Sequence, residues 1–160
     1  MRSRVTKHVV TGLGCVVCTL LIIFLAGPRV EIETEVHPVA LPTDLDRYLA
    51  DAEAAFDDMI PGAEKTILWA GEVGVRTPLS VVYFHGFSAT RQETVPLAEM
   101  VAEQLGGANV FYTRFTGHGR SGEAMLDGSV NAWLNDAHEA LHIGQQLGEQ
   151  VVVIGVSTGG

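Results

Sequence analysis

Thiols are nearly missing from this sequence. Its two cysteines, Cys15 and Cys18, both fall in the first apolar run. The rest of the chain therefore has no disulfide, no cysteine metal site and no cysteine nucleophile, which leaves the cellular compartment open. Positive charge is also scarce, with 10 Lys and Arg against 19 Asp and Glu. Arg2, Arg4 and Lys7 are the only charged side chains before Arg29, so the body holds seven basic residues against all 19 acidic ones. A body that acidic repels phosphate, which excludes nucleic acid as a partner. There are no internal repeats and no low-complexity tract. What is present suffices for a folded core: 47% of the residues are hydrophobic and 18% are charged.

Residues 9–26 form the longest apolar run, VVTGLGCVVCTLLIIFLA, without one charged residue. As a helix these 18 residues would span roughly 27 Å, close to the hydrocarbon thickness of a bilayer. Pro28 and Arg29 end the run. The basic flank lies on the N-terminal side, which predicts a cytoplasmic N-terminus and a body across the membrane. A cleaved signal peptide, with a secreted or periplasmic product, is the alternative. Its apolar stretch is ordinarily shorter, and Pro28 after Ala26-Gly27 is awkward for a peptidase. No lipidation is predicted at Cys15 or Cys18. The expected division is a basic flank and anchor over 1–28, a linker with an amphipathic helix over 29–63, and the N-terminal part of a folded domain over 64–160.

In the linker, Glu31, Glu33 and Glu35 alternate along a segment readable as linker or edge strand. Thr43 and Asp46 predict a capping box for a helix with Leu45, Leu49, Ala52 and Phe56 on one stripe, ended by Pro61-Gly62. Strands are expected at Thr66–Ala70, Leu79–Phe84, Asn109–Thr113 and Val151–Ile154, the last buried on both faces. Between them, Thr90 and Glu93 predict a second capping box, opening a helix to Leu105. Ser129 caps a helix to about Leu147, with Trp133, Ala137, Leu141 and Gly144 along one side. This alternation predicts an α/β fold with a mostly parallel sheet.

Two motifs carry chemistry. Gly155-Val156-Ser157-Thr158-Gly159 is a G-x-S-x-G nucleophile elbow, placed directly after an apolar strand as its mechanism requires. The serine must sit on a sharp, strained turn, so small residues two before and two after let strand and helix approach. The turn lifts the hydroxyl clear of the sheet and aims the next N–H at a developing oxyanion. The second motif is His138-Glu139-Ala140-Leu141-His142, an H-E-x-x-H pattern on an expected helix and the rarer of the two by composition. Zinc needs a third ligand. Gln145 replaces the glycine of the longer zinc-protease form, no histidine follows His142, and Glu149 is too near in sequence. A solvated helix face is the preferred reading of this pair, and no metal or other cofactor is expected.

Leu79–Gly86, the Gly-rich stretch Gly117–Gly122 (GHGRSG) and Gly155–Gly160, in that order and spacing, make residues 64–160 resemble the α/β-hydrolase superfamily. The closest likeness is to its carboxylesterase and monoacylglycerol-lipase-like branch. The resemblance implies that Ser157 is the nucleophile of an ester-cleaving enzyme working through an acyl-serine intermediate. It implies an oxyanion hole from the backbone N–H groups of Phe87 and Thr158, supported by His85, Gly86, Gly155 and Gly159. His85 is expected to hold its loop, and His118 to shape the site wall. The family places its acid and histidine after the serine, in that order. Both are therefore expected beyond residue 160, with this sequence incomplete and inactive as it stands. The implied partners are a small ester or lipid substrate and, through residues 9–26, the membrane. Thioester and peptide hydrolysis stay open. A membrane-anchored protein that keeps the fold without the chemistry is the second reading, and a zinc peptidase using His138, Glu139 and His142 the third.

Overall fold

The computed structural model describes residues 2–27 and 32–160, with side chains in the first helix described at His8 and from Val10 onward. The chain divides into two compact units, Met1–Ile32 and Glu33–Gly160.

Among the described residues the first unit holds one helix, α1, Arg2–Ala26. Its large apolar side chains from Val10 to Leu25 are exposed on every side, between 55% and 74%. The expected transmembrane helix is not supported by this description: among the described residues no helix is long and apolar enough to cross a membrane. The expected span begins at Val9, whose side chain lies outside the described residues, as do those of the basic flank Arg2, Arg4 and Lys7.

The second unit is a mixed α/β fold. Four strands, β1 Thr66–Leu68, β2 Thr77–Phe84, β3 Asn109–Tyr112 and β4 Gly148–Gly155, form one sheet in the order β1-β3-β2-β4. β2 runs parallel to both neighbours, and β1 alone is antiparallel. Alternation along β2 sends Val82 and Phe84 to one face and Val81 and Tyr83 to the other. The first face meets α2 (Leu45–Glu53) through Leu45 and Leu49, and α4 (Val130–Leu147) through Ala140, Ile143 and Leu147. The second meets α3 (Leu97–Gln104) through Ala98 and Ala102. The segment expected to hold a linker and an amphipathic helix contributes α2 to this unit's core.

Polar groups fix the lower end of the sheet. Buried Asn109 donates from Nδ2 to Val75 O (2.9 Å) and Leu147 O (3.0 Å), and its Oδ1 accepts from Ala70 N–H (2.9 Å). One amide thus ties the segments around β1, β2 and the end of α4, which repays its burial.

Several expectations need correcting. α2 is capped by Asp44, whose carboxylate accepts from Arg47 N–H at 3.0 Å, and not by Thr43. Its inner face ends in Glu53, while Ala52 is exposed. The helix expected from Thr90 splits into a 3-10 turn, Arg91–Glu93, and α3, because Pro96 cannot donate an N–H inside a helix. α4 keeps its Ser129 cap, with Ala132 N–H to Oγ at 3.1 Å; of the expected stripe Trp133, Ala137 and Gly144 face the core, whereas Leu141 is exposed and Ala140, Ile143 and Leu147 complete the buried face. Among the described residues β4 lies at the edge of the sheet, and Val153 is 47% exposed.

Candidate active site

The C-terminal ends of β2 and β4 lie side by side, with Phe84 paired to Gly155 and the Val156 N–H bonded to Phe84 O at 3.0 Å. His85-Gly86 and Val156-Ser157 therefore leave the sheet together. This is the end where ligands gather in parallel α/β sheets.

Ser157 stands on a turn that closes through Gly159 N–H to Val156 O (2.8 Å) and Gly160 N–H to Ser157 O (3.1 Å). Its φ is +50°, in the left-handed region. For a non-glycine residue that strain costs about 1–3 kcal/mol and persists only where the surroundings enforce it. The two flanking glycines do the enforcing. A Cβ on Gly155 would stand 2.4 Å from Gly159 O, and one on Gly159 would stand 2.6 Å from Phe84 O and 2.8 Å from His85 O. Only residues without a Cβ let the turn fold back onto the strand ends. The Ser157 side chain is left exposed. The turn bonds do not use the Thr158 N–H.

The companion loop is fixed through His85, which is fully buried. Phe115 N–H donates to His85 Nε2 at 3.0 Å, so that nitrogen is the acceptor and Nδ1 carries the proton. Nδ1 then donates to Gly86 O at 2.9 Å. Burial pushes the imidazole pKa down to about 4, so the ring is neutral at physiological pH. Both nitrogens are committed, so His85 has no lone pair left with which to act as a base. Gly86 O and Phe87 N–H belong to one planar peptide and point in opposite directions. Holding the carbonyl therefore aims the Phe87 N–H.

The Gly-rich loop supplies the wall. Arg114 grips Glu53 with two bonds, at 2.8 Å and 3.0 Å, and donates to His118 O at 3.0 Å. Arg120 pairs with Asp58 at 2.6 Å, which lowers the Asp58 carboxyl to about 2. Thr116 N–H donates to Asp136, and Trp133 Nε1 donates to Thr116 O. His118, 3% exposed, is enclosed by the rings of His85, Phe87 and Trp133. A cavity of about 430 Å³ opens beside the elbow. Thr158, Gly159 and Gly160 border it, and Phe84, Phe115, Val130, Trp133, Leu134 and Ala137 make its walls apolar.

The structure thus brings together Ser157, Thr158, Gly155, Gly159, His85, Gly86 and Phe87. His138 and His142 are held apart on α4, where their Nε2 atoms face one another at 3.1 Å. Glu139 is bonded to Tyr48 Oη and Lys65 Nζ, each at 2.5 Å. Among the described residues no group of three or more His, Cys, Asp or Glu side chains is placed to hold a metal ion. None of the hydrogen bonds of His85, His118, His138 or His142 reaches Ser157. Sequence reasoning missed Glu93, whose carboxylate accepts from Gly86 N–H at 2.7 Å and Tyr83 Oη–H at 3.0 Å. The available signal was Pro96, which denies Glu93 a place in the first turn of a continuous helix.

No protein-family model matches the chain, and no curated protein matches it either. Among solved structures it is similar to a metagenome-derived lipolytic enzyme, of the pair LipS and LipT, with 27% sequence identity and a TM-score of 0.54. The match covers 63% of this chain and 38% of that enzyme, so the chain spans well under half of the enzyme's length. The α/β fold of this chain resembles that of a lipase or esterase.

Proposed function

We propose that this protein is a serine-dependent carboxylic ester hydrolase, of the carboxylesterase and monoacylglycerol-lipase-like kind, acting through an acyl-Ser157 intermediate. The observation that carries the reading is Ser157 at φ +50°, exposed at the end of a parallel strand and beside an apolar cavity. In this reading the acyl group lies against Trp133 and Phe115. The hydroxyl attacks the ester carbonyl, and the Phe87 and Thr158 N–H groups receive the negative oxygen. Each such donor is typically worth about 10²–10³ in rate. A base takes the Ser157 proton and gives it to the departing alcohol, and water then cleaves the acyl-serine by the same route. A fluorophosphonate probe on the full-length protein tests the reading. Labelling of the wild type, lost in Ser157→Ala together with p-nitrophenyl ester hydrolysis, is the expected result. A wild type that takes no probe favours the non-catalytic binding protein, and Ser157→Ala with full activity removes Ser157 as nucleophile.

The uncharged run 9–26 behind the basic Arg2, Arg4 and Lys7 is the basis for proposing a membrane-held N-terminal segment with the body on the extracytoplasmic side. Alkaline carbonate extraction should leave the protein in the membrane pellet. A soluble product beginning near residue 28 would replace this with signal cleavage.

A further inference from the structure

We propose that Glu93 is a positioning residue for the oxyanion pocket, acting through the Gly86 amide. The inference rests on the reading of Ser157 as nucleophile. Gly86 is the hinge between the end of β2 and the Phe87 N–H, and as a glycine it has the widest backbone freedom of any residue. Two sets of bonds remove that freedom. Its carbonyl accepts from His85 Nδ1–H (2.9 Å) and Ala89 N–H (3.2 Å), and its N–H donates to Glu93 Oε1 (2.7 Å). The first set orients the peptide that carries the Phe87 N–H. The Glu93 bond fixes the preceding peptide, so Gly86 cannot turn about either of its own torsions.

The carboxylate is itself steadied. Tyr83 Oη–H donates to the same Oε1 at 3.0 Å from the core of the sheet, and burial with the Glu93 charge raises that phenol to about 12, so it stays a donor. The arrangement borders the nucleophile. A Cβ placed on Gly86 would lie 3.4 Å from Glu93 Oε2 and 3.6 Å from the Ser157 Cβ. The Glu93 carboxylate bonds to Gly86 and Tyr83 and not to Ser157; its route to the chemistry runs through the loop. A carboxylate–amide bond is charge-assisted and shorter than a neutral one, which suits it to holding a flexible residue still.

The test uses the full-length protein and p-nitrophenyl butyrate, with fluorophosphonate labelling of Ser157 as a second rate. Glu93→Met keeps the length and removes the acceptor. Its kcat and labelling rate should fall by roughly 10–100-fold, the range expected for misplacing an oxyanion donor, with KM within about twofold. Glu93→Gln keeps an acceptor oxygen for both donors and should retain kcat within about threefold. If the Met variant does not fold, Glu93→Asp, a carboxylate one carbon too short for the Gly86 N–H, replaces it with the same expectation. A folded Met or Asp variant with wild-type kcat would overturn the role, as would a Gln variant as slow as Met. Loss of labelling in Ser157→Ala, with unchanged labelling in Glu93→Met, would retain the nucleophile and reject Glu93. A wild type without labelling would reject both.

Discussion

The elbow on β4 and the H-E-x-x-H turn on α4 are both short motifs of reactive residues, and the structure treats them in opposite ways. At the elbow the backbone is held in place and the reactive side chain is left over: glycines pack against Phe84 and His85, while the Ser157 side chain stands exposed. On α4 the side chain that would do the chemistry is the one committed. Glu139 is bonded to Tyr48 and Lys65, joining α2 and the approach to β1 to the helix. A motif acquires a chemical role where the scaffold leaves its reactive atom uncommitted, and a structural one where neighbours consume it.

The sharpest way to break this contrast is at the elbow's frame. Gly159→Ala would place a methyl group 2.6 Å from Phe84 O and 2.7 Å from Phe84 Cβ, neither of which can yield cheaply. The turn must shift, and we expect at least about a 100-fold loss of probe labelling, because misplacement of about 1 Å costs that much. Labelling within threefold of wild type would mean that the elbow does not depend on close approach.

The next effect is an acid loss of stability in the same frame. His85 is neutral when folded down to about 4, whereas an unfolded histidine protonates near 6.5. Between those values the unfolded state binds more protons, so stability falls as pH drops from 6.5 toward 4 and is fully present above 6.5. Over that window the contribution is about 3 kcal/mol. An NMR titration of the ring should show no protonation above about pH 5, and a midpoint near 6.5 would contradict the bonds drawn to Phe115 and Gly86.

The smallest effect lies on α4. His138→Ala and His142→Ala should leave ester hydrolysis within a few-fold, and chelators should not change it. Loss with EDTA and recovery with zinc would reverse the assignment of the two motifs.

How far the sequence could be read follows the same division. β2 and α4 were legible because burial and capping are local: an apolar β-branched run, and Ser129 before a periodic stretch. The elbow was legible because its glycines have one steric purpose. Glu93 was not, because a Thr-x-x-Glu spacing is equally good for a capping box, and the competing partner, Gly86, is seven residues back. The inner face of α2 was misread for a similar reason. Glu53 is buried against Arg114, and no periodicity announces a charged residue that will find its partner 61 positions later.

The pairing of Phe84 with Gly155 makes the sheet a ruler for the site. The distance between the two loops is set neither by the loops nor by the helices but by counting residues along β2 and β4. Sliding β4 one position along β2 would carry Ser157 about 3.3 Å past the His85-Gly86 loop and reverse which face each of its side chains meets. Length changes should therefore be absorbed in the bends before β2, around Gly71 and Gly74, where nothing lies within 4 Å of an added Cβ. Between Gly148 and Gly155 a single inserted residue would take the nucleophile out of register with its own pocket.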